Sequence, residues 1–95
     1  MAKENINQVF ETEKGEETII GLPFKVILFN DEIHSFDEVI TQLIKALKCS
    51  FDKAKDFTFE VHFKGKACVF TGDLQSCLKV SGILEEIALN TQVES

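Results

Sequence analysis

Residues 51–66, FDKAKDFTFEVHFKGK, admit two readings, and the fold turns on which one holds. Phe57, Phe59, Val61 and Phe63 alternate with Thr58, Glu60 and His62, as in a half-buried strand. Lys64-Gly65-Lys66 would then be a hairpin turn into Ala67–Phe70. The rival is a helix. Ser50 can cap it, Asp52 falls in its first turn, and Phe51, Ala54, Phe57, Thr58 and Val61 recur at helical spacing. Pattern alone leaves the two evenly matched.

The flanks are easier to read. Phe24–Phe29 (FKVILF) is short and nearly all apolar, as in a strand covered on both faces. Asn30-Asp31-Glu32 stops it. Ser35-Phe36-Asp37-Glu38 is a capping-box pattern, and Phe36, Val39, Ile40, Leu43, Ile44 and Leu47 make one helical stripe up to Lys48. Downstream, Lys66–Thr71 reads as a strand. Leu74, Cys77, Leu78, Leu84, Ile87 and Ala88 then mark a helix of roughly fifteen residues, with Asn90 as its stop. Gly82 inside that helix costs about 1 kcal/mol relative to Ala, which suggests close packing against a neighbour. Thr91–Glu94 is a candidate edge strand. Residues 1–20 hold five acidic residues, two Lys and scattered apolar positions, and read as a flexible acidic arm, its end (Thr18–Leu22) leading into one domain over 21–95.

Composition narrows the function. The chain has 95 residues, 44% of them apolar and 27% charged, which suits one small globular domain. All ten basic residues are Lys, set against 16 acidic ones, for a net charge of −6. That balance opposes nucleic-acid binding and attraction to anionic lipid. No unbroken apolar run exceeds four residues, as in Val26–Phe29, so no segment is expected to span a membrane. The first residues lack the apolar centre of a secretion signal, and the cysteines (Cys49, Cys68 and Cys77) are odd in number. Together these point to a cytoplasmic protein with reduced thiols. The cysteine spacings match no zinc motif, so a zinc site with His34 and His62 would need a coincidence of folding. No nucleophile–base order, P-loop or metal motif appears, so no catalysis, metal or cofactor is expected.

Three features remain as binding candidates. Asn30-Asp31-Glu32 sets three polar side chains at the end of a buried strand, although turn chemistry explains such residues equally well. His62 lies among phenylalanines, where a satisfied core or rim histidine is the ordinary case. His34 has the weaker claim of the two, because it sits in the turn itself. Phe36, in the first helical turn beside the polar cluster, is the aromatic to test. Lys53, Lys55, Lys64 and Lys66 read as a solvated face.

The ordered string FKVILFNDEIHSFDEVI … EVHFKGKACVFTG resembles the ClpS-type adaptors of the ATP-dependent Clp proteases. In that family a strand ends in Asn-Asp-Asp or Asn-Asp-Glu before a turn and a helix, and a Val-His-Tyr/Phe-x-Gly-Lys segment follows about thirty residues on. The matching pieces are Val26–Glu32, Ser35–Leu47 and Val61–Lys66, and the likeness covers roughly residues 22 to 95. It implies an α+β fold: a small antiparallel sheet of about three strands with three helices on one side. It also implies that residues 51–63 are helix. Thr58, Val61 and His62 then share one stripe at i, i+3 and i+4, which a strand would split between two faces.

The family recognises N-degrons, protein N-termini beginning with Phe, Leu, Trp or Tyr, and delivers them to a Clp AAA+ unfoldase. The resemblance implies that Asn30, Asp31, Glu32 and His62 surround the α-amino group. Asn30 would offer an amide oxygen, Glu32 a carboxylate, neutral His62 a ring nitrogen, and Asp31 negative field or a water-bridged contact. Phe36, Val39, Thr58 and Val61 would line the pocket for the first side chain. Asp73 and Lys79 are candidates for docking the N-terminal domain of a ClpA-like or ClpC-like unfoldase. A monomer is expected, without nucleic acid or membrane. Glu32 stands where many members have Asp, Phe36 where Met commonly guards the pocket, and the C-terminal part is shorter than in many members. Competing readings are an interaction domain like the C-terminal domain of the ribosomal stalk protein, which would ignore free N-termini, and a small enzyme using His62.

Overall fold

Strand β1 (Phe24–Phe29) runs down the middle of the sheet, and everything else is arranged around it. The computed structural model describes residues 23–95; the arm expected over residues 1–20 and its lead-in lie outside the described residues. After β1 come α1 (Phe36–Leu47), α2 (Phe51–Lys64), β2 (Lys66–Gly72), α3 (Leu74–Glu85) and β3 (Thr91–Glu94). The strand order is β2-β1-β3, antiparallel throughout, with Leu28 opposite Ala67 on one side and Thr91 on the other. This is the expected α+β arrangement, and β3 is the expected edge strand.

The register of β1 with β2 slips between Val26 and Ile27, which pair with Phe70 and Cys68. The extra residue, Val69, is a bulge. It changes the side-chain parity of β2, so that Ala67 and Val69 before the slip and Phe70 after it all reach the core. The core joins Val26 and Leu28 of β1 to Ile40, Leu43, Ala46, Ala54, Val61, Cys77, Val80 and Leu84 of the helices, and to Leu89.

Each helix begins on a side-chain cap. Ser35 and Glu38 form the reciprocal capping box of α1, Ser50 accepts from Lys53 N–H at α2, and Asp73 accepts from Ser76 N–H at α3. Helix α2 ends at Gly65, whose φ of 89° is open to glycine and whose N–H reaches Val61 O at 2.9 Å. Lys64-Gly65-Lys66 is therefore a helix stop leading into a strand, and the strand reading of residues 57–63 fails.

Two expectations about α3 also fail. The helix ends at Glu85, and the left-handed residue is Ala88 (φ 65°), not Asn90. The chain must reverse between residues 86 and 90 to lay Thr91 beside Leu28, so Ile87 and Ala88 belong to that turn despite their helical phase. Nothing lies within 4 Å of where a Cβ of Gly82 would stand, so no close neighbour demands the glycine. Leu74 and Leu78 are exposed, because Cys77, Val80, Ser81 and Leu84 form the buried face.

Candidate functional site

A cavity of about 350 Å³ opens at the end of β1 where the chain enters α1. It is lined by Leu28, Phe29, Asn30, Asp31, Glu32, His34, Phe36, Val39, Thr58, Val61, His62 and Leu89. All eight residues named for the α-amino group and the first side chain are therefore brought together. They come from the β1–α1 loop, the first turn of α1 and the last two turns of α2. Asp73 and Lys79 lie elsewhere, on α3.

Burial divides the lining. Leu28, Thr58, Val61 and Leu89 are buried, Val39 and Phe36 half-buried, and Asn30, Glu32 and His62 exposed. The hydrogen-bonding side chains thus stand at the mouth above an apolar floor. Thr58 donates its hydroxyl hydrogen to Ala54 O at 2.8 Å, so that donor is used within its own helix. The volume sits at the small end of ligand pockets, about 300–1,000 Å³, and suits a single residue.

The loop wall is held from several directions. Phe29 N–H donates to Asn90 O and Asn30 N–H to Gly65 O, both at 2.9 Å. Asp31 closes the turn: its Oδ1 accepts from Ile33 N–H and His34 N–H, each at 3.0 Å, and its Oδ2 lies 2.7 Å from His34 Nδ1. Burial alone would raise the Asp31 pKa, but the hydrogen bonds from His34 and Ile33 outweigh it and hold the carboxyl below its usual value. Asp31 is thus a turn builder. His34 Nε2 meets Ile87 O at 2.5 Å. The Asp31 hydrogen bond, and then the Ile87 carbonyl, raise the His34 pKa above its ordinary value against the effect of burial.

The helix wall is aromatic. The Phe36 ring makes edge contacts with Phe59 and His62, at centroid distances of 5.2 and 5.1 Å. Phe63 stacks on Phe59 at 5.9 Å and meets the His62 ring edge-on at 5.0 Å. His62 is thereby held between two phenylalanines. At α3, Asp73 accepts from Ser76 Oγ at 2.6 Å, and its pKa is lowered chiefly by Ser76, which gives it a capping role.

Sequence reasoning missed four lining residues. Leu28 and Phe29 belong to the apolar strand itself, and Leu89 follows a reversal that the helical stripe concealed. His34 reads from the sequence as a turn residue; the turn is where it lies, and the turn lines the cavity. Its position three residues after Asp31 was the available signal. Among the described residues no group of three His, Cys, Asp or Glu side chains could hold a metal ion, and no helix is long and apolar enough to cross a membrane.

The family model described as ATP-dependent Clp protease adaptor protein ClpS matches residues 22–93. The ATP-dependent Clp protease adapter protein ClpS of Wolinella succinogenes is 41% identical over 59 residues, which are 60% of this chain and 58% of that protein. The human E3 ubiquitin-protein ligase UBR2 is 36% identical over 58 residues, 61% of this chain but 3% of the ligase. The match thus spans just over half of the bacterial relative and a small fraction of the ligase. The structure of Agrobacterium tumefaciens ClpS2 bound to L-phenylalaninamide superposes with a TM-score of 0.72 over 76% of this chain and 94% of that chain, at 19% sequence identity, a likeness of fold. The family match spans every element from β1 to α3 and reaches into β3, and it contains the whole cavity lining: the chain belongs to the ClpS family of ATP-dependent Clp protease adaptor proteins.

Proposed function

We propose that this protein is a non-catalytic adaptor whose cavity binds the N-terminal residue of a substrate protein, through the free α-amino group and a first side chain of the Phe, Leu, Trp or Tyr type. One observation carries the reading: Asn30, Glu32 and His62, from segments thirty residues apart, stand exposed at one small cavity whose floor is largely apolar. An ammonium has three N–H donors and no acceptor, and these three side chains supply an amide oxygen, a carboxylate and a ring nitrogen. Asp31 adds negative charge beside them. Each charge-assisted hydrogen bond contributes about 1.5–3 kcal/mol net. Burying a Leu or Phe side chain against Phe36, Val39, Thr58 and Val61 adds about 1.5–3 kcal/mol. After association costs these suit micromolar affinity, about −8 kcal/mol. His62 can accept only through an unprotonated ring nitrogen.

Membership of the family supports delivery of the bound protein to a Clp AAA+ unfoldase in the cytoplasm, with the adaptor acting as a monomer. Lys79 is a candidate for the docking face. Asp73 is a weaker one, since its carboxylate already caps α3. The test is fluorescence anisotropy with a labelled Phe-initiated peptide beside its N-acetylated twin. Micromolar binding removed by acetylation is the expected result. Equal affinity for both would favour the stalk-like interaction domain, and binding of neither by the folded protein would sink the N-terminus reading.

A further inference from the structure

His34 ties the loop wall of the cavity to Ile87, 53 residues further along the chain. Its side chain is 10% exposed, and each ring nitrogen faces an acceptor: Nδ1 faces Asp31 Oδ2 at 2.7 Å and Nε2 faces Ile87 O at 2.5 Å. A backbone carbonyl has no hydrogen to give, so Nε2 must carry one. Asp31 already accepts two backbone N–H groups through Oδ1, which favours its ionised form, so Nδ1 must donate too. A ring that donates from both nitrogens is an imidazolium.

We propose that His34 is a positioning residue. Held as an imidazolium, it fastens the Asn30–Ser35 loop to the turn between α3 and β3, and so fixes Asn30 and Glu32 as acceptors for a peptide's α-ammonium. The positioning role rests on the N-terminus reading of the cavity; the clamp itself does not. The charged groups around the ring favour the proton: Asp31 within the loop and Glu38 on α1 both raise its pKa. Glu32 and, from α2, His62 line the same cavity. From the far side comes the Ile87 carbonyl, while Glu86 nearby is engaged by Lys45 and Gln42. The two histidines of the cavity therefore have opposite needs. His62 must be neutral to accept from the ligand, and His34 must be charged to hold the loop that faces it. A neutral His34 keeps one of its two bonds and releases the other.

Two measurements test this. Long-range 1H–15N spectra of the free protein, from about pH 5.5 to 9.5, should show both His34 nitrogens protonated at neutral pH, with a pKa above the usual value of about 6.5. The backbone amides of residues 30–32 should shift along the same titration curve. A neutral single tautomer at pH 7, or loop amides indifferent to the titration, would overturn the clamp. The second measurement is the ratio of Kd values for a Phe-initiated peptide between His34→Gln and the wild type. Titration of the peptide amine is common to both proteins and cancels in that ratio. The ratio should be about tenfold near neutral pH and fall towards one as His34 loses its proton, since one charged hydrogen bond is at stake. A flat ratio would overturn the positioning role. Wild-type protein that binds no such peptide would overturn the N-terminus reading and the positioning role together, while the spectra would still decide the clamp.

Discussion

The two walls of the cavity are built on different physics. The loop wall, Asn30–Ser35, is an irregular segment held by hydrogen bonds: from Asn30 to Gly65, within the Asp31 turn, through His34 to Ile87, and finally into the capping box of α1. The helix wall, Thr58–His62, has a regular backbone and is held by packing, with Val61 in the core and His62 between Phe36 and Phe63. Removing one polar partner from the loop wall leaves another group unsatisfied. Removing one ring from the helix wall leaves the backbone where it was. The loop wall should therefore be sensitive to pH and to single polar substitutions, and the helix wall tolerant in structure but decisive for the ligand.

His62→Ala should have the largest effect. It removes one of the acceptors proposed for the ammonium, a loss of about 1.5–3 kcal/mol or about ten- to a hundredfold in Kd by anisotropy, with little change in thermal stability. Unchanged affinity in the folded variant would break the assignment of the helix wall. Asp31→Ala should do the reverse and act first on the fold. It strips acceptors from two backbone N–H groups and the His34 ring, and the midpoint of chemical denaturation should report a loss of about 1–3 kcal/mol.

Caps sharpen the same contrast at smaller scale. Ser35→Ala and Ser50→Ala should each cost about 1 kcal/mol in stability, yet only the former, whose helix start continues the loop wall, should also weaken peptide binding. For the free protein, the raised pKa of His34 means that the folded state binds its proton more tightly than the unfolded chain does. That stabilisation is complete below the unfolded value of about 6.5 and is lost as the pH rises through the folded value. Denaturation midpoints should thus decline as the pH rises from about 6.5 through the folded value, and that part of the decline should be absent from His34→Gln. Phe36→Met should be the mildest change. It replaces a stiff ring with a flexible chain, so overall affinity should move little while the ranking among Phe, Leu, Trp and Tyr peptides shifts.

Legibility followed the same division. The Ser35 capping box, the stripe of α1 and the short β1 are patterns of neighbouring residues, and the structure reproduces them. The alternation of α2 misled because two i, i+4 pairs are interleaved. Phe57 and Val61 face the core, while Phe59 and Phe63 stack on each other outside it. Spaced two apart, such pairs imitate the period of a strand. Family resemblance resolved that ambiguity where periodicity did not. The end of α3 departs from its pattern for a related reason: Ile87 and Ala88 keep helical phase in a segment whose path is set by the need to bring β3 beside β1.

Elements with local causes, namely caps, stripes and turn residues, are therefore written in neighbouring residues, as are the acceptors and apolar groups that the proposed ligand would require. The tertiary structure decided which of these meet. That Leu89 closes the cavity floor, and that His34 stands between Asp31 and a carbonyl 53 residues away, follows from where the chain returns after α3. Such contacts are set by packing of the whole chain, and no pattern of neighbouring residues encodes them.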